Sequence, residues 1–542
     1  MIDRPVAFPA TSSFSPAGTF PKKTSAISGA WNVFRGFICA TRQIGSTGQS
    51  YPCFLSPGPW HAYLSPRLGI SCIPTPVSRS LRIGFPRPLV RRAIMRSGQG
   101  PLQLLGCCRS LLFPARITPR TLVIYCCFFL LITTLLGVRM HVKSYLSAVL
   151  YGLPALTQVA AAKSTGDPFQ LYTISAENIT AKLIPYGARL TSLLVPDRDG
   201  NFQDVVVGYD DPKQYLKDTE TNHTYFGAVV GRYANRIKNG TFSIGSDVYH
   251  IPENENDGED TLHGGTVGYD QRNWTVTAYS NSSITFTLVD RAFEDFPGDV
   301  ITHATFSVQT KVTPENPQGL PQLTTKLVSL ALTETTPIML ANHIYWNLNA
   351  FKDETILEDT WLQLPLSKRL IGTNGILIPN GTILDVDVYD GAPDFVSGKL
   401  VGQDIEKTDG LCGTDCIGYD NCFIVDRPPQ YAARNSIVPI IHMNSSTTGI
   451  SLDVATNQQA LQIYACNSQN GTIPVKQSQV QRNKAEGVDG AEYVNQHGCI
   501  VIETEGWIDG INNPQWGQLP DQIYSPETGP AVNWATYQFG TV

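Results

Sequence analysis

The 542-residue sequence is low in charge and lacks several motifs that mark common classes of enzyme. Charged side chains make up 16% of the chain, below the quarter that is typical of soluble domains. No G-x-G-x-x-G segment follows a strand and opens a helix, so the usual dinucleotide-binding fingerprint is absent. A G-x-S-x-G nucleophile elbow is also missing. The sequence therefore predicts neither a nucleotide cofactor nor an elbow-type serine nucleophile.

Acidic residues are almost missing from residues 1–120. This segment has 15 Lys or Arg against one acid, Asp3, whereas residues 121–542 hold 25 basic and 45 acidic side chains. It also has 15 prolines and no sustained period of 2 or 3.6. Basic stretches can bind nucleic acid, but this one lacks the regular helix or aromatic platform that would support that role. We predict a segment that is disordered or absent from the mature protein, and no nucleic-acid partner.

Two apolar stretches follow and bear on localisation. Residues 121–138 carry no charge and are just long enough to be a transmembrane candidate. Residues 140–162 have the order of a signal peptide: Met140, the basic Lys143, an apolar stretch and three small residues at the end. We therefore expect the biological start at Met140 and a secreted or extracellular protein. The alternative is a membrane-anchored protein held by residues 121–138.

Eight N-x-Ser/Thr motifs also favour secretion, because such motifs accept N-linked glycans in that pathway. They begin at Asn178, Asn222, Asn239, Asn273, Asn281, Asn380, Asn444 and Asn470.

Cysteine is scarce after Met140, where five occur, the last two being Cys466 and Cys499. Cys412 and Cys416 are close enough for a loop disulfide, and the odd total leaves at least one thiol without an intrachain partner. Cys422 completes a C-x3-C-x5-C spacing, but no histidine lies nearby, so a zinc site is not expected.

The remaining sequence lacks sustained helical periodicity. Short alternating runs rich in Val, Ile, Thr, Leu and Phe, such as "SSITFTLVD" and "ATFSVQTKV", are bounded by Gly, Pro, Asn and Asp. No domain-sized linker interrupts residues 168–542. The pattern predicts an all-β domain, a large multi-stranded antiparallel β-sandwich.

Four segments combine ionisable residues with tight turns in a way that a core does not require. They are "GRYANRI" (231–237), "TLHGG" (261–265), "ANHIYWNL" (341–348) and "IVIETEGWIDGINNPQW" (500–516), with a weaker fifth, "GYDNCF" (418–423). In this order they resemble the aldose 1-epimerases, or galactose mutarotases. That family's pattern includes G-R-x-A-N-R-I, L-H-G-G, N-H-x-Y-[WF]-N-L and a late E-T-Q-x-x-P-D. The resemblance covers about residues 168–542.

The resemblance implies a galactose mutarotase-like supersandwich that interconverts the α and β anomers of free aldohexoses such as galactose and glucose. Opening the ring requires a base at the C1 hydroxyl and an acid at the ring oxygen, without any cofactor or metal. Two alternatives remain open. One is a non-catalytic carbohydrate-binding protein on the same scaffold, and the other is a hexose-phosphate epimerase. The preferred sugar and the oligomeric state are not predicted.

By resemblance, Glu503 is the base, His343 the acid and His263 a second active-site histidine. Glu503 lies where an apolar strand meets a polar turn, so desolvation should raise its pKa towards neutrality. A histidine can exchange a proton under mild conditions. Taken alone, His343 would be a hydrogen-bonded core residue and His263 a turn residue exposed to water. Gly264 and Gly265 should allow the turn to approach a ligand closely.

Substrate binding is assigned to Arg236, Asn235 and Asp420, whose polar groups match sugar hydroxyls. A structural salt bridge is the alternative for an arginine here, and it is favoured for Arg232. The chain departs from the family pattern at three positions that border these residues: Asn421 replaces His, Glu505 replaces Gln and Ile508 replaces Pro. An aromatic platform for the sugar is expected, with Trp346 and Trp507 as candidates that could equally be core residues.

Overall fold

The computed structural model describes residues 166–314 and 316–542. The basic segment 1–120, the apolar segment 121–138 and the signal peptide 140–162 lie outside the described residues, so the predictions for them stay predictions. In the part of the chain that is described, no helix is long and apolar enough to cross a membrane.

Strands dominate the described chain. They are β1 (Tyr172–Ala176), β2 (Ile179–Ile184), β3 (Arg189–Pro196), β4 (Phe202–Asp204), β5 (Ala228–Val230), β6 (Arg236–Lys238), β7 (Thr241–Ile244), β8 (Asp247–His250), β9 (Asp260–Leu262), β10 (Thr275–Tyr279), β11 (Ser283–Arg291), β12 (Asp299–Gln309), β13 (Gln322–Ala331), β14 (Thr336–Pro337), β15 (Ala341–His343), β16 (Tyr345–Trp346), β17 (Thr360–Gln363), β18 (Arg369–Thr373), β19 (Pro379–Asp385), β20 (Lys399–Leu400), β21 (Asp420–Ile424), β22 (Val438–Ser445), β23 (Ile450–Thr456), β24 (Ala460–Tyr464), β25 (Ile500–Glu505), β26 (Ile523–Tyr524) and β27 (Ala531–Thr541). The α-helices are α1 (Gln214–Thr219), α2 (Val388–Gly391) and α3 (Gln477–Ala485).

Two large sheets form the body of the domain. The larger has nine strands in the order β10-β11-β12-β13-β27-β23-β22-β17-β20, and the second has six in the order β16-β25-β24-β21-β18-β19. Every strand ladder within them is antiparallel. The prediction of an all-β antiparallel sandwich is therefore confirmed.

Alternation of side chains explains why the nine-stranded sheet forms. In β12 every second residue is buried, from Val300 through Ala304 and Phe306 to Val308. Because successive side chains on a strand point to opposite faces, this pattern gives one apolar face. That face shares a continuous core with apolar residues of the six-stranded sheet, among them Leu461.

The strand β25 has a different pattern, because all six of its residues are buried. It lies between β16 and β24 in the six-stranded sheet. A disulfide joins Cys466, just after β24, to Cys499, just before β25. The loop disulfide considered from the sequence, Cys412–Cys416, is also present, and Cys422 is a buried free thiol.

Candidate active site

One cavity of about 380 Å³ gathers residues from segments that are far apart in the chain. All six residues assigned from the sequence line it: Asn235, Arg236, His263, His343, Asp420 and Glu503. The GRYANRI and LHGG segments contribute one wall through the pairing of β6 with β9. The strands β15, β21 and β25 bring the other three side chains. The geometry thus places the assigned acid, base and binding groups around a single space.

His263 is fixed by a reciprocal pair of hydrogen bonds with Asn235. The His263 backbone N–H donates to the Asn235 carbonyl at 3.1 Å, and the Asn235 backbone N–H donates to Nδ1 of the ring at 3.1 Å. Both residues have positive φ, which few residues other than glycine adopt. Burial lowers the pKa of His263 well below its usual value, so the ring is neutral. Since Nδ1 accepts a hydrogen bond, Nε2 carries the hydrogen and is the ring's free donor.

The glycines after His263 allow close packing of the turn. A Cβ at Gly264 would lie 2.2 Å from the carbonyl oxygen of Gly231, and one at Gly265 would lie 2.6 Å from the Glu294 carboxylate. These contacts are within the protein, and the expected close approach to a ligand stays a prediction. The glycines let the His263 turn pack against the GRYANRI segment, which positions the histidine indirectly.

His343 and Glu503 face each other at the base of the cavity. His343 Nε2 lies 3.6 Å from Glu503 Oε1, and the two side chains are 8% and 3% exposed. Burial lowers the pKa of His343 to about 3. Burial, with the charges of Glu505 and Asp420, raises the pKa of Glu503 well above its usual value. The raised pKa agrees in direction with the effect expected from the sequence.

These opposite shifts in pKa favour a protonated Glu503 beside a neutral His343. With Glu503 protonated and His343 neutral, the pair holds one ionisable proton, the same number as a carboxylate beside an imidazolium. The charged form needed for acid–base work is therefore reached by moving one proton within the site, without exchange with solvent. Groups that bond to a carboxylate or an imidazolium, such as sugar hydroxyls, favour that form.

Two nitrogens of the Arg236 guanidinium make structural contacts, and the third is available to a ligand. Its Nε and Nη2 donate to the Glu255 carboxylate at 2.7 and 3.0 Å, and Nε lies 3.4 Å from Asp260. Within residues 166–314 and 316–542, Nη1 makes no hydrogen bond to protein and is left for a ligand. Arg232 is structural, as expected, because its buried guanidinium pairs with Asp290 and donates to backbone carbonyls.

Asp420, the first residue of β21, lines the same cavity as Asn235 and Arg236. Its Oδ1 accepts a hydrogen bond from Gln462 Nε2 at 2.6 Å. Burial raises the pKa of Asp420, and the nearby Arg236 opposes that shift. The second carboxylate oxygen makes no protein hydrogen bond among the described residues, so it is available to a hydroxyl group.

Comparison with known proteins matches the part of the chain that forms this domain and its cavity. The family model described as "Aldose 1-epimerase" matches residues 170–528. The chain belongs to the aldose 1-epimerase family. This family consists of isomerases, so the resemblance and the enzyme class seen in the sequence are both confirmed.

Individual relatives of this aldose 1-epimerase chain agree with that assignment. A probable aldose 1-epimerase of Arthroderma benhamiae is 61% identical over 385 residues, covering 69% of this chain and 87% of that protein. Galactose mutarotase of Mus musculus is 28% identical and covers 69% of this chain and 94% of the mouse protein. A solved GalM/aldose epimerase homologue from C. elegans has a TM-score of 0.56 at 25% identity, covering 69% of this chain and 99% of that one.

The aromatic wall of this aldose 1-epimerase is made of tyrosine instead of tryptophan. Trp346 is fully buried against Tyr537 and Phe539 in the core, and Trp507 packs on Trp516. Neither residue lines the cavity, so of the two interpretations left open by the sequence, the core one holds for both. The tyrosines that line the cavity are Tyr225, Tyr345 and Tyr464.

Sequence reasoning missed Tyr225 and its neighbour His223. The two rings stack with centroids 4.1 Å apart, and Tyr225 also contacts the rings of His263 and His343 at 4.7 and 5.5 Å. His223 Nε2 lies 3.0 Å from the buried Asp270 carboxylate. No motif marks either residue. Their position a few residues before GRYANRI was the one available signal.

The donor atoms of His263, His343 and Glu503 lie within 4.8 Å of one another, which raises the question of a metal ion. A histidine ligand must present an unprotonated nitrogen. In His263, Nδ1 accepts the Asn235 backbone N–H, and Nε2 therefore carries the hydrogen. The chemistry of this donor set fits a hydrogen-bonding site better than a three-ligand metal centre.

Proposed function

We propose that this enzyme interconverts the α and β anomers of free aldohexoses such as galactose and glucose. The observation that carries the proposal is the convergence of Glu503 and His343, 3.6 Å apart, on one cavity with polar walls. A base and an acid close together are what ring opening requires, because the C1 hydroxyl and the ring oxygen are both bonded to C1. A binding protein would need neither group buried and poised for proton transfer.

The proton steps balance over a full cycle. In the charged form of the pair, Glu503 takes the proton of the C1 hydroxyl while His343 donates its proton to the ring oxygen. The bond between C1 and the ring oxygen breaks, and the open-chain aldehyde forms. After rotation about the C1–C2 bond, the steps run in reverse on the other face of the carbonyl group. The pair ends with the protons it had at the start.

The remaining groups of the cavity suit a neutral polyol. Arg236 Nη1 and His263 Nε2 offer hydrogen-bond donors, and Asp420 offers an acceptor. Arg236 is the single Lys or Arg among the described residues that line the cavity. A phosphorylated hexose would call for further basic groups. The charge of the site thus favours free sugars over hexose phosphates.

Polarimetry on freshly dissolved α-glucose and α-galactose tests the proposal. The purified enzyme should shorten the approach to the equilibrium rotation, and His343→Asn should reduce the catalysed rate by about 10²–10⁴-fold. Circular dichroism spectra that match the wild type would show that the variant is folded. Binding of the sugars without any acceleration would instead support a carbohydrate-binding protein and overturn the proposed activity.

We also propose that the protein passes through the secretory pathway, beginning at Met140. Seven of the eight asparagines that begin N-x-Ser/Thr motifs are exposed and Asn444 is half-buried. By contrast, the ten asparagines that are buried in the described part of the chain all lie outside such motifs. Two disulfides are also typical of proteins from an oxidising compartment.

Two of the motif asparagines, Asn222 and Asn470, line the cavity, so glycans on them would border the active site. Expression from Met140 in a eukaryotic secretory host should yield a protein in the medium that begins after Ala162 and carries glycans on the exposed motifs. Peptide mapping before and after enzymatic deglycosylation would measure occupancy at each asparagine. A product that stays in the cell with unmodified motifs would contradict the proposed localisation.

A further inference from the structure

Glu505 is a buried carboxyl group directly behind the catalytic cavity. It follows Glu503 by two residues on β25, so both side chains point to the same face of the strand. Glu505 has no exposed surface, and it is not among the residues that line the cavity. It also occupies the position where the family pattern has Gln, so this chain has an ionisable group where that pattern has a neutral one.

A chain of hydrogen bonds connects Glu505 to the cavity. Glu505 Oε1 accepts a hydrogen bond from Asn235 Nδ2 at 2.7 Å. The backbone N–H of the same asparagine donates to His263 Nδ1, and its carbonyl oxygen accepts the His263 backbone N–H. Holding the Asn235 side chain therefore restrains the Asn235 backbone, whose N–H fixes the tautomer of His263 and whose carbonyl oxygen helps to hold its position.

The groups packed around Glu505 disfavour a second negative charge. They are Glu503 on the same strand, Asp420 and Cys422 on β21, which lies two strands away in the sheet, and Tyr233, Asn235 and Arg236 of the GRYANRI segment. Arg236 is the one cation in this set, and two of its nitrogens are already bonded to Glu255. Burial raises the pKa of Glu505 to about 8.

We propose that Glu505 is a positioning residue that works as a neutral carboxylic acid, holding Asn235 and, through it, His263. This inference rests on the proposed mutarotase function. A neutral carboxylic acid has one acceptor oxygen and one hydroxyl donor, so it offers the same kinds of group as the amide of Gln. Ionisation of Glu505 would place a second carboxylate beside Glu503 and favour the protonated, non-basic form of the catalytic residue.

A comparison of Glu505→Gln with Glu505→Leu tests the proposal. The Gln variant keeps the acceptor for Asn235, so kcat at neutral pH should stay within about threefold of the wild type. The Leu variant loses that acceptor and should lose more than about tenfold in kcat. Glu505→Leu combined with Asn235→Ala should lose no more than the worse single variant, because both changes break the same chain.

The pH profile separates this role from a merely structural one. The wild-type kcat should fall above about pH 8 as Glu505 ionises, whereas Glu505→Gln should remain active to higher pH. Glu492 is exposed and pairs with Lys484 on the surface. Glu492→Gln is therefore a matched control, and its pH profile should equal that of the wild type. Superimposable profiles for the wild type and Glu505→Gln, or additive losses in the double variant, would overturn the proposal.

Nitrogen NMR of the His263 ring provides a readout that does not depend on turnover. The ring should carry its hydrogen on Nε2 in the wild type and in Glu505→Gln, and should populate both tautomers in Glu505→Leu. A wild-type enzyme that fails to accelerate mutarotation would remove the proposed function and leave this measurement intact. An unchanged tautomer in the Leu variant would count against Glu505 alone.

Discussion

Two buried carboxylates, one in each large sheet, have opposite surroundings. Asp290 on β11 of the nine-stranded sheet accepts hydrogen bonds from Arg232 Nε at 2.9 Å and from the Tyr269 hydroxyl at 3.0 Å. Its other oxygen accepts the Phe293 backbone N–H at 3.0 Å. Both oxygens are thus satisfied, and the negative charge is balanced by the buried arginine 2.8 Å away.

Glu503 on β25 of the six-stranded sheet has no such set of partners. Its Oε1 faces His343 at 3.6 Å, and Oε2 is buried without a hydrogen bond to any described residue. Leaving a buried polar atom unpaired costs about 1–3 kcal/mol. The fold therefore uses the Asp290 carboxylate for stability and holds the Glu503 carboxyl group, which lines the cavity, at a cost in stability.

Glu503→Gln should produce the largest functional effect and little structural effect. The amide has nearly the same shape but is not a base, so the catalysed mutarotation rate should fall by about 10²–10⁴-fold. The melting temperature should stay level or rise, since a costly buried carboxyl group is removed. Stopped-flow or manual polarimetry and thermal melts would measure the two quantities. A variant with full activity would show that Glu503 is not the base.

Asp290→Asn should give the complementary result. Removing one partner of a buried ion pair leaves the Arg232 guanidinium uncompensated, which typically costs about 3–5 kcal/mol. The free energy of unfolding, from urea titration, should fall by that order. The fraction that stays folded should keep its kcat, because Asp290 does not line the cavity. Loss of kcat without loss of stability would show that the two carboxylates are not divided in this way.

The difference between these regions also decides what the sequence could reveal. The nine-stranded sheet was predictable because strands such as β12 alternate buried and partly exposed residues over their whole length. In β25 both faces are covered, so no alternation distinguishes Glu503 from a surface glutamate. The family motif supplied that residue instead. It supplied His263 as well, but it gave no hint that Gly264 packs against Gly231.

Other parts of the site depend on contacts between segments without motifs. The Tyr225 ring contacts the rings of His263 and His343, and its position a few residues before the GRYANRI segment is the one sequence signal for it. Trp346 was a candidate for a sugar platform, but its ring packs against Tyr537 in the core. The Cys466–Cys499 pair is separated by 33 residues, and sequence alone left its pairing open.

That disulfide offers a smaller test within the six-stranded sheet. It closes the loop that carries Ser468, Gln469 and Asn470, which line the cavity. Replacing both Cys466 and Cys499 by Ala should lower the free energy of unfolding by about 2–4 kcal/mol. KM for glucose should rise more than kcat falls, because the rim moves while Glu503 stays on its strand. The Cys412–Cys416 pair, replaced in the same way, serves as the control with unchanged KM.

The smallest expected effect concerns how stability changes with pH around β25. Burial raises the pKa of Glu505 to about 8 from its ordinary 4.5. Between these two pH values the native state therefore keeps a proton that the unfolded chain has lost. This contribution to stability is fully present below the ordinary pKa and is lost as pH rises through the native one.

Glu505→Gln removes that dependence of stability on pH. Its urea midpoint relative to the wild type should therefore increase between about pH 5 and about pH 8.5. In Glu492→Gln, where the carboxyl group is exposed, the same comparison should show no such increase. If the Glu505→Gln difference were equally flat, the carboxyl group would already be ionised in the native state, and Glu505 would belong with Asp290 as a paired structural charge.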